Sequence, residues 1–253
     1  MRIVRFRAAD KTRYGVLEGS QIIEYAGTPY SIFTRGRKRW AVSQTVLLAP
    51  VAPSKIVAVG TNYRDHAEEM QLRIPDEPMM FFKPISSLCG PNDPVVKPSL
   101  AQRVDYEGEL AIVIKKRCRH VDAERALDYV LGYTCLNDVT ARDLQTRDGQ
   151  PSRAKGFDSF CPMGPCIATD IDPNGVDIET YLNGERKQGS NTKHLIFAVE
   201  DVIARITAVM TLWPGDVIAT GTPAGVGPMQ PGDNVEVRIE GIGRLRNPVI
   251  EIS

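Results

Sequence analysis

Glu107 and Glu109 stand two residues apart and Asp138 follows 29 residues later, each beside a stretch that otherwise reads as buried strand. The i, i+2 spacing puts both glutamates on one face of a strand. Leu110 to Ile114 carries that strand into the core, and Asp138 closes a second apolar stretch, Tyr133 to Asn137. Converging acids would repel one another and lose their solvation unless a cation holds them. An all-oxygen ligand set favours a hard divalent ion, Mg2+ or Mn2+ ahead of Zn2+. The alternative at this level is three exposed edge-strand charges, each paired with one of the 31 lysines and arginines.

Further polar groups have spacings suited to chemistry. His66 and Glu69 share a face if their stretch is helical, and a carboxylate beside an imidazole fixes its tautomer and raises its basicity. An exposed helix with both side chains in solvent is the competing account. Arg142 lies one helical turn beyond Asp138 with Gln145 close behind. Its guanidinium suits a substrate carboxylate, or equally a salt bridge to Asp143 or Asp138. Lys155 is either a cation beside developing negative charge or a surface lysine. The glycines of Gly221-Thr-Pro-Ala-Gly-Val-Gly227 permit close approach of backbone to a ligand, or simply make a tight loop. No Gly-Lys-Ser/Thr follows, so this is no Walker loop, and Pro228 stands where a dinucleotide-binding helix would open.

The elements that must position these groups are mostly strands. Short alternating runs at Arg2–Arg7, Arg13–Glu18 and Gln21–Tyr25 predict a small β domain over residues 1–50. The Ala49-Pro-Val-Ala-Pro53 connector separates it from a second domain over 51–253. There, strands are expected at Lys55–Val59, Met79–Lys83, Glu107–Lys116, Tyr133–Asn137, Cys166–Thr169, Asp177–Leu182, Asp216–Thr220, Asn234–Ile239 and Leu245–Ile252. Asn183-Gly184 is a two-residue hairpin signal. Helices are expected at Ala123–Val130, Ala141–Gln145 and Val199–Leu212. The last has Val199, Val202, Ile203, Ile206 and Val209 on one face and stops at Pro214-Gly215. Many strands and few helices favour a β-rich, mostly antiparallel α+β fold that curls or closes.

The 253 residues balance 31 basic against 31 acidic side chains without a basic stripe, which argues against nucleic acid as partner. No apolar run approaches the ~18 residues that span a membrane. Five cysteines without a CxxC pair speak for reduced thiols and a cytoplasmic setting. Three histidines make a His-rich metal site improbable.

Taken together, six segments give a resemblance that none gives alone. Val59-Gly-Thr-Asn-Tyr-Arg-Asp-His66, Phe81-Phe-Lys-Pro84, Asp105-Tyr-Glu-Gly-Glu-Leu110, Asn137-Asp-Val-Thr-Ala-Arg-Asp143, Ala154-Lys-Gly-Phe-Asp158 and Thr220-Gly-Thr-Pro-Ala-Gly-Val226 lie in that order. The chain resembles the fumarylacetoacetate hydrolase superfamily, in particular its short acylpyruvase-like members. The resemblance implies a mixed β-roll or barrel catalytic domain, a small N-terminal β domain and a homodimer. It implies Mg2+ or Mn2+ held by Glu107, Glu109 and Asp138. His66 and Glu69 would be a water-activating pair on a segment that orders as a lid, with Lys155 assisting. Arg142, Gln145 and Thr222 would hold the carboxylate end of a small 2-oxo acid.

The implied activity is hydrolysis of a C–C bond in acylpyruvate-type 2,4-diketo acids such as fumarylpyruvate or acetylpyruvate. The same charge stabilisation serves other reactions. Alternatives are an oxaloacetate decarboxylase or tautomerase, or a 2-hydroxyhepta-2,4-diene-1,7-dioate isomerase of aromatic catabolism. A catalytically silent member that binds 2-oxo acids is the alternative of another class.

Overall fold

A computed structural model describes residues 1–251 of the chain. The first fifty residues form β1 (Arg2–Ala8), β2 (Lys11–Glu18), β3 (Gln21–Gly27), β4 (Phe33–Ala41) and β5 (Val46–Leu48). Then come β6 (Ile56–Gly60), helix α1 (Arg64–Glu69), β7 (Met79–Lys83), β8 (Leu88–Cys89), β9 (Val95–Lys97), β10 (Val104–Tyr106) and β11 (Gly108–Ile114). The middle of the chain supplies β12 (Val130–Asn137), β13 (Thr140–Ala141), helix α2 (Arg142–Asp148) and β14 (Cys161–Ala168). The remainder is β15 (Asp177–Leu182), β16 (Glu185–Asn191), helix α3 (Val199–Val209), β17 (Val217–Ala219), β18 (Gly227–Met229), β19 (Asn234–Ile239) and β20 (Gly243–Glu251). Ile252, the last residue of the expected final strand, lies outside the described residues.

A 12-stranded sheet runs β4-β3-β2-β1-β14-β12-β11-β17-β6-β7, with β5 attached to β1 and β8 to β14. The N-terminal strands therefore continue the large sheet, joined where Arg2 and Ile3 face Ala168 and Ile167. A five-stranded sheet, β16-β15-β19-β20-β9, and a three-stranded one, β13-β10-β18, complete the β-rich architecture. Pairing is antiparallel except at β17–β6, β14–β8 and β20–β9. Among the described residues no helix is long and apolar enough to cross a membrane.

β11 is buried along its whole length, and its continuous apolar run follows from having strands on both sides and a core on each face. Leu110, Ile112 and Ile114 join the same core cluster as Val202, Ile203 and Ile206 of α3. Ala111 and Val113 face the other cluster, with Ile56, Ala58 and Phe81. The β15–β16 hairpin turns at Asn183 and Gly184, with φ of 53° and 84°, the left-handed pair that a tight hairpin needs.

Three helical expectations are corrected. Ala123–Tyr129 is 3-10 helix, with its apolar residues too few to bury an α-helical stripe. α3 ends at Val209 and not at Leu212, because Met210 turns extended and Leu212 forms a β-bridge with Cys118. Val209 is consequently exposed, and Thr207 takes a buried place on that helix instead.

Asp216, fully buried, ties the entry of β6 to that of β17. It accepts hydrogen bonds from Ser54 N and Oγ, Lys55 N and Trp213 N, and pairs with Lys55 Nζ at 2.5 Å. Removing it would orphan several donors at once. Asp216→Ala should lower unfolding stability by about 3 kcal/mol, read as a fall in the urea midpoint; an unchanged midpoint would show that water satisfies those donors.

Candidate active site

Glu107, Glu109 and Asp138 come together as spacing predicted, and they do so in the interior. All three are buried, and one carboxylate oxygen from each lies within 4.8 Å of the others. The alternative of exposed edge-strand charges fails on exposure, although its pairing with lysine or arginine holds for Glu107 and Asp138. Glu107 falls between β10, in the small sheet, and β11, in the large one, so the chain changes sheets at this carboxylate. Asn137 Oδ1 accepts from Glu107 N at 2.9 Å, and Glu107 O accepts from Asp138 N at 2.8 Å. These bonds lock the two acid-bearing segments in register.

The cations around the acids are distributed unequally. Lys155 Nζ donates to Glu107 Oε2 and Asp138 Oδ2, both at 2.7 Å, and to Thr140 Oγ1 at 2.8 Å. That accounts for all three of its protons. Lys83 Nζ, wholly buried, lies 2.5 Å from Asp138 Oδ1 and 2.6 Å from the carbonyl of Lys155. Arg142 donates to the other oxygen of Glu107, to Asp105 Oδ2 at 2.9 Å and to Gln145 Oε1 at 2.7 Å. Its acidic partners are thus Asp105 and Glu107, neither of the two the sequence suggested.

Glu109 receives none of these cations. The one hydrogen bond it accepts among the described residues comes from Gly221 N, at 2.8 Å. The two glutamates diverge accordingly. Burial works to raise the Glu107 carboxyl, but Lys155 and Arg142 outweigh it and hold it down at about 2. For Glu109, burial and then the neighbouring Asp138 push it well above the ordinary carboxylate range. A buried carboxylate between two acids, with a single neutral donor, is an environment that a divalent cation fits. Glu107, Glu109 and Asp138 would supply oxygen ligands only, the donor set of Mg2+ or Mn2+.

α1 places His66 and Glu69 on one face, with His66 Nδ1 3.5 Å from Glu69 Oε2. His66 is buried while Glu69 stays partly exposed. Both Glu69 oxygens accept from Gly225 N at 3.0 Å. The glycine-rich loop thus contacts the site's own carboxylates at both ends. Gly221 has φ of +96°, and a Cβ there would sit 2.8 Å from Asn62 Cβ. Thr222 Oγ1 donates to Gly108 O and accepts from Gln188 Nε2, so its hydroxyl proton is already committed.

His66, Lys155, Arg142, Gln145 and Thr222 line one cavity of about 370 Å³ together with the three acids. Sequence reasoning gave no role to Lys83, Asp105, Asn62 or Gln188. Asn62 bridges Phe197 and Thr220, and Gln188 bridges Gly108 N, Thr222 and Pro223 O. The buried cysteines are free, and burial pushes Cys166 up to about 11 and Cys161 up to about 12, leaving them protonated at neutral pH.

The fold is β-rich and changes sheets at a buried acidic cluster, with His66 on the same cavity and Glu69 beside that histidine. The chain belongs to the fumarylacetoacetate hydrolase family: the family's C-terminal domain matches residues 55–250. Residues 1–50 match the Rv2993c-like N-terminal family. Over its whole length the chain is 44% identical to 5-carboxymethyl-2-hydroxymuconate delta-isomerase from Mycobacterium smegmatis, all of which it covers, with a TM-score of 0.94. It is 33% identical to maleylpyruvate hydrolase from Sphingobium sp. SYK-6, solved with manganese(II) and pyruvate, at TM-score 0.84 and full coverage of both chains. Human mitochondrial oxaloacetate tautomerase FAHD2B is 44% identical over 82% of this chain and 70% of its own.

Glu109→Gln should raise the melting temperature of the metal-free protein at neutral pH, by the equivalent of about 1 kcal/mol. It should also abolish any stabilisation by Mg2+ or Mn2+. Because the folded-state value is raised, ionising Glu109 costs stability as pH climbs above the ordinary 4.5. The gain from Gln should therefore fade below that pH, where Glu109 is protonated folded and unfolded alike. Thermal melts across pH check this, and a variant no more stable at neutral pH would mean that Glu109 is already compensated.

Proposed function

We propose that this chain is a divalent-metal-dependent hydrolase that cleaves the C–C bond of acylpyruvate-type 2,4-diketo acids. The observation that carries the proposal is an under-compensated buried acid cluster on the same cavity as His66, with Glu69 beside that histidine. The manganese-containing maleylpyruvate hydrolase among its relatives supports the choice of Mg2+ or Mn2+. Held by Glu107, Glu109 and Asp138, the ion would supply Lewis-acid stabilisation of negative charge developing on the 2-keto oxygen.

The protein's own groups then divide the work. Arg142 retains two guanidinium protons beyond those given to Asp105, Gln145 and Glu107. With its oxygen taken by Arg142, Gln145 offers its amide protons, and these two residues suit the substrate's carboxylate. Glu69 lies toward Nδ1 of His66, which leaves Nε2 to take a proton from water attacking the distal carbonyl. Cleavage of C3–C4 then expels the 2-oxo-acid half, and His66 returns the proton to C3. Lys155 has spent its protons on Glu107, Asp138 and Thr140, so it acts by positioning those acids.

A second reading rests on the relatives named as tautomerase and isomerase, both at 44% identity. Keto–enol tautomerisation needs the same stabilised charge and a proton shuttle, but no attacking water. Assays of acetylpyruvate, fumarylpyruvate and oxaloacetate with Mg2+ or Mn2+ separate the two. The hydrolase reading expects turnover of at least one diketo acid, and His66→Ala should slow it by about 100-fold or more. That variant should affect metal-assisted decarboxylation of oxaloacetate far less. Enolisation of oxaloacetate without cleavage of either diketo acid would sink the hydrolase in favour of the tautomerase. A protein inert to every 2-oxo acid, yet melting higher with oxalate, would be a binder.

A further inference from the structure

We propose that the site selects a 2-oxo acid with a single carboxylate, whose far substituent is uncharged and apolar. This rests on the 2-oxo-acid reading above and goes on to say what the other end of the molecule must be.

The first observation is where the cavity's charge lies. Its Lys and Arg residues, Arg142 and Lys155, both sit at the acidic end. Lys155 has no proton to spare, and Arg142 has only those assigned to the near carboxylate. The exposed residues of the cavity are the apolar Met70, Leu72 and Met79 together with Thr146, Gly149 and Gln150, none of them cationic. Arg73 belongs to the adjoining segment, but it is 87% exposed, pairs with Asp76 and does not line the cavity. A second carboxylate at this exposed rim would lose water against the methionines and Leu72 without gaining a lysine or arginine.

The second observation is exposure. Met70, Leu72 and Met79 are large apolar side chains left 38%, 49% and 52% exposed at this cavity. Apolar groups gathered at the mouth of a pocket mark a surface that gains from being covered. An alkyl or aryl tail would cover them, whereas a carboxylate would not.

Binding to the Mg2+-loaded protein by calorimetry tests this with a matched pair of simple 2-oxo acids. 5-Methyl-2-oxohexanoate carries an isopropyl group where 2-oxoglutarate carries its distal carboxylate, and oxalate serves as the tailless control. The apolar ligand should bind about tenfold more tightly than 2-oxoglutarate. Leu72→Arg, at a half-exposed position that tolerates charge, should narrow or reverse that preference while leaving oxalate affinity unchanged. Oxalate binding together with equal or tighter binding of 2-oxoglutarate to the parent protein would overturn the tail assignment alone. Failure of oxalate and both 2-oxo acids to bind would take down the 2-oxo-acid site and this inference with it. The expected order of affinities without turnover of any diketo acid would remove the hydrolase and leave the tail assignment standing.

Discussion

Four carboxylates are buried here against two buried lysines and the partly buried Arg142, and Glu109 pairs with none of these cations. Lys83 and Lys155 clasp Asp138 through its two oxygens, while Lys155 and Arg142 do the same for Glu107. Glu109 is left with one backbone N–H. A protein selected for stability alone would place a neutral residue there, because an isolated buried carboxylate is among the costliest groups to desolvate. Its presence is intelligible as provision for a cation that arrives from solution. The lysines, on this account, make a three-acid cluster tolerable before any ion binds.

The sheet arrangement exists to hold that cluster rigid. β11 and β12 pair so that Gly108 faces Asn137 and Glu109 faces Leu136, which brings the chain before one strand beside the chain after the other. Gly108 is required by crowding, since a Cβ there would lie 2.1 Å from Thr180 Oγ1. Gln188 reaches from the five-stranded sheet to fasten Gly108 N and Thr222. The strand residues that line the cavity belong to the large sheet, and the other two sheets brace it through these contacts. A ligand set held by such a frame is organised before the ion or the substrate enters.

Much of this was legible in the sequence, for identifiable reasons. Met79–Lys83, Asp177–Leu182 and Asn234–Ile239 are strands with the expected limits, because each is short, bounded by turn residues and half apolar. The acid cluster was legible because Glu107 and Glu109 interrupt an otherwise apolar region at strand spacing. What was not legible came from long-range packing. β4 is polar along most of its length and lacks a buried stripe, so no periodicity announced it. Lys83 sits in the Phe81–Pro84 segment, yet nothing local distinguishes a lysine buried under Asp138 from one in solvent. The partners of Arg142 depended on how α2 approaches β10, which spacing within one segment cannot specify.

The glycine-rich loop gives the site its functional coherence. Its Gly221 N–H holds Glu109, and four residues on its Gly225 N–H holds both oxygens of Glu69. One short backbone segment therefore ties Glu109 to Glu69, whose carboxylate lies 3.5 Å from His66 Nδ1. Hydrolysis demands both halves in a fixed relation, because the proton must leave water on one side as charge accumulates on the other. Tautomerisation makes a weaker demand, since no third molecule has to be placed. Gly225 allows this geometry through its φ of +95°, and a Cβ there would lie 2.3 Å from Lys187 O. A loop whose amides hold Glu109 and Glu69 together is a feature that suits the proposed two-centre reaction.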